Sequence, residues 1–397
     1  MFTSLGYHTF TIFMRLTMRV RNSLLRDFKE YEKATGRIRV RPMRDRNGRI
    51  ISNFHIIEYN EKKGITWLIT YNPLLGDQPY SIKAKINPKI LAGTKDYIAA
   101  ATADYLEKVE NLFDIEANKI SRILESFSSY SLNRVDYCIN FDVKELGLDC
   151  SSQQMIKLIK QSDIPRHFVE RTEYDTISHR KKTDKFSFYL KSDSVVINCY
   201  WKHWQLLNEF PDCKDLDKSL NVIRFEIQCK YPKVYSMSKI IKDRGDFFKV
   251  KNEMLSNDCY DRIVSYYFNK IIGRGNYYPL DNARRMIENQ GFKLNKEYRL
   301  ISALKLIKDR QGIANVKAAL KGKDEEDFRR SLRELADLRI NPVTIPKEWN
   351  IKFIPNLLEA YYNKISVEQA KERQEQVDLE LLKDYFWEQK KHKKYKK

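Results

Sequence analysis

The sequence predicts an α+β fold, an antiparallel sheet with helices on one face followed by a helical region, and three observations predict it. Two segments, Asn133 to Phe141 and Val222 to Cys229, place an apolar residue at every second position, the pattern of a half-buried strand. The elements around them read β-α-β-β-β-(α)-β, a mixture that suits a small antiparallel sheet with helices on one face. Beyond Lys230-Tyr231-Pro232 the period becomes helical, with one apolar stripe at Leu300, Ile301, Leu304 and Ile307 and another at Phe328, Leu332, Leu335 and Leu338.

In chain order, Thr9 to Met14 is expected to be the first strand; Met1 to Met14 lacks a basic n-region and a clear cleavage site, which argues against a signal peptide. Residues 9 to about 90 are strand-rich, with turns at Asn47-Gly48, Asn60 to Gly64 and Asn72-Pro73 and strands near 50–58, 65–71 and 79–86. Thr94 is expected to cap a helix reaching about residue 127, and Ser151 or Ser152 to open another ending near Gln161. Strands near 166–173, 185–191 and 194–200 and a short helix from Trp201 to about Asn208 complete the block. Helices follow near 236–245, 255–272, 281–290, 296–309, 312–321 and 325–339, where Asn341-Pro342 stops the run. A final amphipathic helix over 366–389 leads into the basic run Lys390 to Lys397, so the expected division is 1–235, 236–365 and 366–397.

Composition narrows the partners. With 397 residues and 42% hydrophobic content the chain is long and apolar enough for two domains with real cores. A net charge of +20 favours a polyanion, nucleic acid first and an anionic membrane surface second, because each cation that neutralises a phosphate releases condensed counterions. Arg39 and Arg41, in a segment that interleaves cations with apolar residues, are candidate DNA contacts. No stretch approaches the roughly 20 apolar residues of a membrane span. Six cysteines without a CxxC pair suggest a reduced, cytoplasmic protein without zinc.

Several chemistries are disfavoured. None of the six histidines has an arginine three positions later, as a tyrosine recombinase requires, and Gly322-Lys323 is followed by Asp324, so no phosphate-binding loop of a motor is present. The His-hydrophobic-His metal pair of most tyrosine nickases is also absent.

What remains is a set of polar residues on the two alternating strands. The first puts Arg134, Asp136, Cys138 and Asn140 on one face and the second puts Arg224, Glu226 and Gln228 on one face. If the strands are neighbours, Asp136 and Glu226 share a polar face within reach of one divalent cation, and carboxylate oxygens suit Mg²⁺ or Mn²⁺. Between them the run Val195 to Cys199 ends in Tyr200, with Lys202 two positions on and His203 next. A phenol of pKa about 10 needs activation before it attacks a phosphodiester at neutral pH. Lys202 can lower that pKa or offset charge on the phosphorane, and His203 is a candidate proton shuttle. Tyr189 and Tyr235 are the alternative nucleophiles. Arg134 and Arg224 are further candidates for contact with DNA.

The ordered words Asn-Arg-Val-Asp (133–136), Tyr-Trp-Lys-His (200–203) and Ile-Arg-Phe-Glu-Ile (223–227) resemble the replication initiators of filamentous phages, the gene II and gene X family, and more distantly the plasmid rolling-circle initiators. The likeness extends to Ile82 to Gly93 and to the helical part around 296–346. It implies a nickase domain of HUH-like organisation, with a ferredoxin-like core and carboxylates in place of the histidines, followed by a helical domain. It also implies Tyr200 as nucleophile, Asp136 and Glu226 as metal ligands with Asn140 or Asp142 as an open third, and origin DNA, a host helicase and a DNA polymerase as partners in a bacterial cytoplasm. The function expected on this basis is site-specific nicking of origin DNA through a 5′-phosphotyrosyl bond. The alternatives are a conjugative relaxase and a non-catalytic basic DNA-binding regulator.

Overall fold

In this computed structural model, residues 3–368 are described except 46, 62, 95, 171–172, 175–180, 183–184 and 244–249. Most of the expected helix 366–389 and all of the basic run 390–397 lie outside the described residues.

The strands are β1 (Ser4–Leu16), β2 (Ile38–Arg44), β3 (Ile50–Tyr59), β4 (Ile65–Tyr71), β5 (Tyr80–Ile86), β6 (Ser131–Asp142), the two-residue β7 (Val169–Glu170), β8 (Glu173–Tyr174) and β9 (Lys181–Lys182), then β10 (Ser187–Lys191), β11 (Val195–Trp201) and β12 (Val222–Cys229). Ten of them form one sheet in the order β2-β3-β4-β5-β1-β6-β12-β11-β10-β7, antiparallel at every step, while β8 and β9 pair separately. The long strands β1 and β6 sit in the middle, so the two halves of the sheet share one backbone ladder. The strand expected over 166–173 is reduced to the short β7 and β8.

Helices α1 (Met18–Thr35), α2 (Pro88–Leu91), α3 (Tyr105–Ile120), α4 (Ser152–Ile159) and α5 (Lys202–Glu209) interrupt the strands. Following β12 come α6 (Tyr231–Asp243), α7 (Val250–Met254), α8 (Asn257–Ile271), α9 (Leu280–Glu288), α10 (Leu294–Asp309), α11 (Ile313–Ala319) and α12 (Gly322–Asp337), with a helical stretch at 357–368.

Two expectations are corrected. The strand-rich stretch 9–90 contains an 18-residue helix, α1, which buries Leu24, Leu25 and Phe28, starts at a Thr17 cap accepting from the Val20 N–H, and stops at Gly36 with φ of 61°. Its 3.6-residue apolar period is masked in the sequence by five Lys and Arg side chains, among them Arg19, Arg21 and Lys29. Thr94 caps no helix: α3 begins only at Tyr105, because Tyr7 and Ala101 exchange backbone hydrogen bonds of 2.9 and 3.0 Å that tie Ala101 to β1. At its far end α3 stops at Ile120, about seven residues short of the expected end.

The apolar face is the core. Phe10 and Ile12 of β1, Val135, Tyr137, Ile139 and Phe141 of β6 and Ile223, Phe225 and Ile227 of β12 are fully buried, each contributing roughly 1.5–3 kcal/mol of burial. Phe268 of α8 inserts between Phe141 and Phe225, with ring centroids 5.6 and 5.5 Å away. Ala303 and Ile307 of α10 join the same core, whereas Ala283, Ile287, Leu300, Leu304 and Leu335 make a smaller one among α9, α10 and α12. The expected break after residue 235 lies inside α6, and side chains from both sides of it share the main core.

Candidate active site on the open face of the sheet

The strand registers define the other face as a grid. Ser187, Tyr200, Arg224, Asn140 and Ser4 lie in one row across β10, β11, β12, β6 and β1. The next row is Tyr189, Asn198, Glu226, Cys138 and Gly6, and the third is Lys191, Val196, Gln228, Asp136 and Thr9. Directly paired residues share a face, so Asp136 and Glu226 are diagonal neighbours on one side of the sheet. Between Tyr7 and Thr9 the β1–β6 ladder carries a bulge whose extra residue is His8. That bulge turns the imidazole onto the open face, where Nδ1 lies 3.6 Å from Glu226 Oε2.

Glu226 is the junction. The Tyr200 hydroxyl donates to its Oε2 at 3.4 Å. Burial would raise the Glu226 carboxyl, but the His8 hydrogen bond and the charges of His8, Arg224 and Lys202 outweigh it and hold the group well below the usual carboxylate range. His8 itself is pushed down, burial exceeding the pull of Glu226. The His8 hydrogen bond is the largest of the influences that keep Glu226 ionised, and Arg224 and Lys202 add to it. Burial and the adjacent Glu226 charge raise the Tyr200 phenol well above 10, against the opposing influence of Arg224. In the resting protein Tyr200 is a neutral phenol.

Arg224, an expected DNA contact, is instead fully buried beneath Tyr200. Its Nε donates to Asn140 Oδ1 at 2.8 Å and its Nη2 to the Ile98 carbonyl, while Nη1 has no hydrogen-bond partner among the described residues. The segment 98–101 that displaces the expected helix thus closes over this arginine. Lys202, at the first position of α5, is 2% exposed; its Nζ donates to Gln205 Oε1 at 2.8 Å and lies 5.9 Å from the centre of the Tyr200 ring. Burial and the nearby Arg224 charge lower its pKa to about 7. His203 turns away, its Nδ1 lying 2.9 Å from the Leu216 carbonyl oxygen and 3.2 Å from Ser219 Oγ.

Asp136 is held differently. Arg134 donates to it through Nε and Nη2, both at 2.7 Å, and the Thr9 hydroxyl donates to the same carboxylate. Burial raises its pKa against those hydrogen bonds. The two open third-ligand candidates are also engaged. Asn140 donates to Ser4 Oγ at 3.0 Å and to the Ile98 carbonyl at 2.6 Å, and Asp142 accepts the Lys144 and Glu145 backbone N–H groups at 3.0 Å each. Among the described residues no three His, Cys, Asp or Glu side chains converge on one point. The donors that fit a divalent cation are the Glu226 carboxylate, the His8 imidazole and the Oδ1 of Asn198, a buried oxygen that has no hydrogen-bond partner among the described residues and lies on the strand position paired with Glu226. His8 and Asn198 escaped the sequence reading: nothing in the sequence marks the bulge, and Asn198 alternates into the face unremarked.

A cleft of about 1270 Å³ opens over Tyr200, Glu226, His8 and Asn198, and continues past the sheet edge to Lys157, Lys160, Lys185, Lys308 and Lys347. Tyr189 lines the same cleft, whereas Tyr235 is exposed on α6. Arg39 and Arg41 are exposed on β2, Arg41 paired with Glu58. That strand is seven positions from β11 in the sheet, roughly 33 Å at about 4.8 Å per strand.

No family model matches the chain, nor does any curated protein. Among solved structures, a rolling circle replication initiator protein from Geobacillus stearothermophilus is similar at 10% identity, over 61% of this chain and 80% of that one, with a TM-score of 0.29. A likeness of that score carries no argument about activity. Among the described residues, no helix is long and apolar enough to cross a membrane.

Proposed function

We propose that this chain is a rolling-circle replication initiator, a site-specific endonuclease and ligase that nicks one strand of origin DNA through Tyr200 and leaves a 3′-hydroxyl primer. One observation carries the reading: a phenol hydrogen-bonded at 3.4 Å to an ionised carboxylate, with a buried amine of pKa about 7 beside it, opening into a lysine-lined cleft of a chain with net charge +20.

Lys202 is the proton carrier of this reading. Near neutral pH a fraction of it is the free amine, a base matched to the operating pH, with its Nζ 5.9 Å from the centre of the Tyr200 ring. As the Tyr200 oxygen bonds to phosphorus and the bond from phosphorus to the 3′ oxygen breaks, the phenolic proton passes to Lys202 Nζ and from there to the departing oxygen. Resealing is the same path reversed, with no nucleotide consumed. Arg224 beneath the ring offsets the negative charge that the oxygen acquires on the way. Glu226 orients the phenol through its hydrogen bond and, by its charge, keeps it protonated until substrate is in place.

The implied cofactor, Mg²⁺ or Mn²⁺, would be held by Glu226 with His8 and Asn198, and when bound supplies positive charge next to the scissile phosphate. The exchange of nickase histidines for carboxylates in an HUH-like arrangement, with Asp136 fixing Arg134, belongs to the same proposal. Arg134 meets the phosphates nearest the site and Arg39 and Arg41 those of flanking duplex. The helical part after β12 holds the origin, and a host helicase and polymerase act on the opened strand.

The test is incubation with supercoiled plasmid carrying the cognate origin and Mg²⁺ or Mn²⁺. Open circles with protein on the 5′ end are expected, and Tyr200→Phe loses both. Mass spectrometry of the peptide left on the DNA identifies the attacking residue; attachment through Tyr189 would reassign it, and no adduct at all would refute the reading.

A further inference from the structure

At the end of the sheet remote from the Tyr200 row, three aromatic rings form a ladder that the nicking chemistry does not use. Phe13 of β1 lies on the open face, opposite Lys83, and meets Tyr231 edge-on with centroids 5.9 Å apart. Tyr231 stacks on Tyr235, one helical turn further along α6, at 5.8 Å and 26°. Lys239, a further turn on, sits 4.8 Å over the Tyr235 ring. Tyr231 and Tyr235 are 42% and 49% exposed, whereas Val234 and Ile241, on the adjoining flank of α6, are buried. Apolar rings at i and i+4 with a cation at i+8, facing water, are not the side that packs this helix.

Cations crowd the same end. Lys230 follows β12 directly, and its Nζ donates to the Ser192 carbonyl at 2.7 Å in the turn between β10 and β11, beside exposed Lys191. Burial and the charge of Lys191 lower the Lys230 pKa, with Asp193 opposing them and Arg134 adding a smaller push, so Lys191 and Arg134 both lie within electrostatic reach of Lys230. Arg134 joins this cluster to the site through Asp136. From Arg224 to Lys230 along β12 the track covers roughly 20 Å at about 3.3 Å per residue.

We infer that Phe13, Tyr231 and Tyr235 are a base-stacking platform for single-stranded DNA, with Lys191, Lys230 and Lys239 meeting its phosphates. The inference rests on the nickase reading for its purpose, holding one strand of the opened origin, but its chemistry is separate. Flat exposed rings interleaved with cations suit unpaired bases, whose faces a duplex hides.

The test uses the full-length protein, a fluorescein-labelled oligo(dT) and a blunt duplex of equal length, read by anisotropy. The double variant Tyr231→Ala/Tyr235→Ala should bind oligo(dT) about thirtyfold or more weakly, with duplex binding changed less than about twofold and an unaltered thermal unfolding profile. Tyr231→Phe/Tyr235→Phe should retain wild-type binding, because the ring and not the hydroxyl does the stacking. Equal oligo(dT) affinity for wild type and the alanine variant, equal loss on both probes, equal loss in the phenylalanine variant, or no oligo(dT) binding by wild type would each overturn the platform. Oligo(dT) binding that depends on the rings, in a protein that never forms a Tyr200 adduct, would leave the platform standing and bring down the nickase reading instead.

Discussion

Replacing Lys202 by methionine should stabilise the protein and disable it at once. The fall of its pKa from 10.5 to about 7, at roughly 1.4 kcal/mol per unit, puts the cost of burying this amine near neutral pH at about 4 kcal/mol. Its hydrogen bond to Gln205 returns about 1 kcal/mol, so Lys202→Met should gain about 3 kcal/mol near pH 7 if the thioether fills the same space. The folded state binds fewer protons at this group than the unfolded chain does. Wild-type stability therefore climbs as pH rises from about 7 towards 10.5, and the variant lacks that climb. Urea midpoints of both proteins across that window are the assay: the advantage of the variant should shrink steadily and vanish at the alkaline end. Parallel pH curves, or a variant less stable at neutral pH, would show that Lys202 is not a strained buried amine and would remove its matched pKa from the mechanism.

The same value makes the nicking rate of wild type rise with pH through about 7, as Lys202 loses its proton, and Lys202→Arg should abolish both the rise and most of the rate; a pH profile of adduct formation on a single-stranded substrate reads this. Glu226→Gln removes the charge that keeps Tyr200 protonated, so ultraviolet titration of tyrosine should find one phenol ionising at lower pH, while adduct formation drops by roughly 10²-fold or more with the loss of orientation. Gly6→Ala would drive a Cβ to 2.1 Å from the Ala101 carbonyl oxygen, so loss of about 1–3 kcal/mol is expected in thermal unfolding, together with reduced nicking, because 98–101 is the strap that covers Arg224.

The α+β class, the long central strands and most helices after β12 were legible because their apolar residues recur with clean periods. Strand alternation also placed Asp136, Glu226 and Arg224 on one polar face, and the registers show them there. Local pattern could not say how far each side chain stands from water. Arg224 and Arg134 look alike in the sequence, yet one is sealed under a loop that bonds from residue 98 and the other stays partly exposed while clasping Asp136. Such burial is decided by contacts between segments 126 residues apart, which no periodicity reports. Helix α1 was hidden for the opposite reason, its charged outer face diluting a narrow apolar stripe, and His8 because a single extra residue in a ladder leaves no mark in composition.

That surplus residue sets two pressures against each other. Tyr7 already faces Tyr137 and Thr9 already faces Asp136, so excising His8 would leave the first and sixth strands paired in step from Ser4 to Thr11. A shorter chain would then be the better-built one and would have lost the imidazole beside Glu226. Selection for mere folding would erase position 8, and its persistence in any functioning relative would have to be maintained by what the protein does.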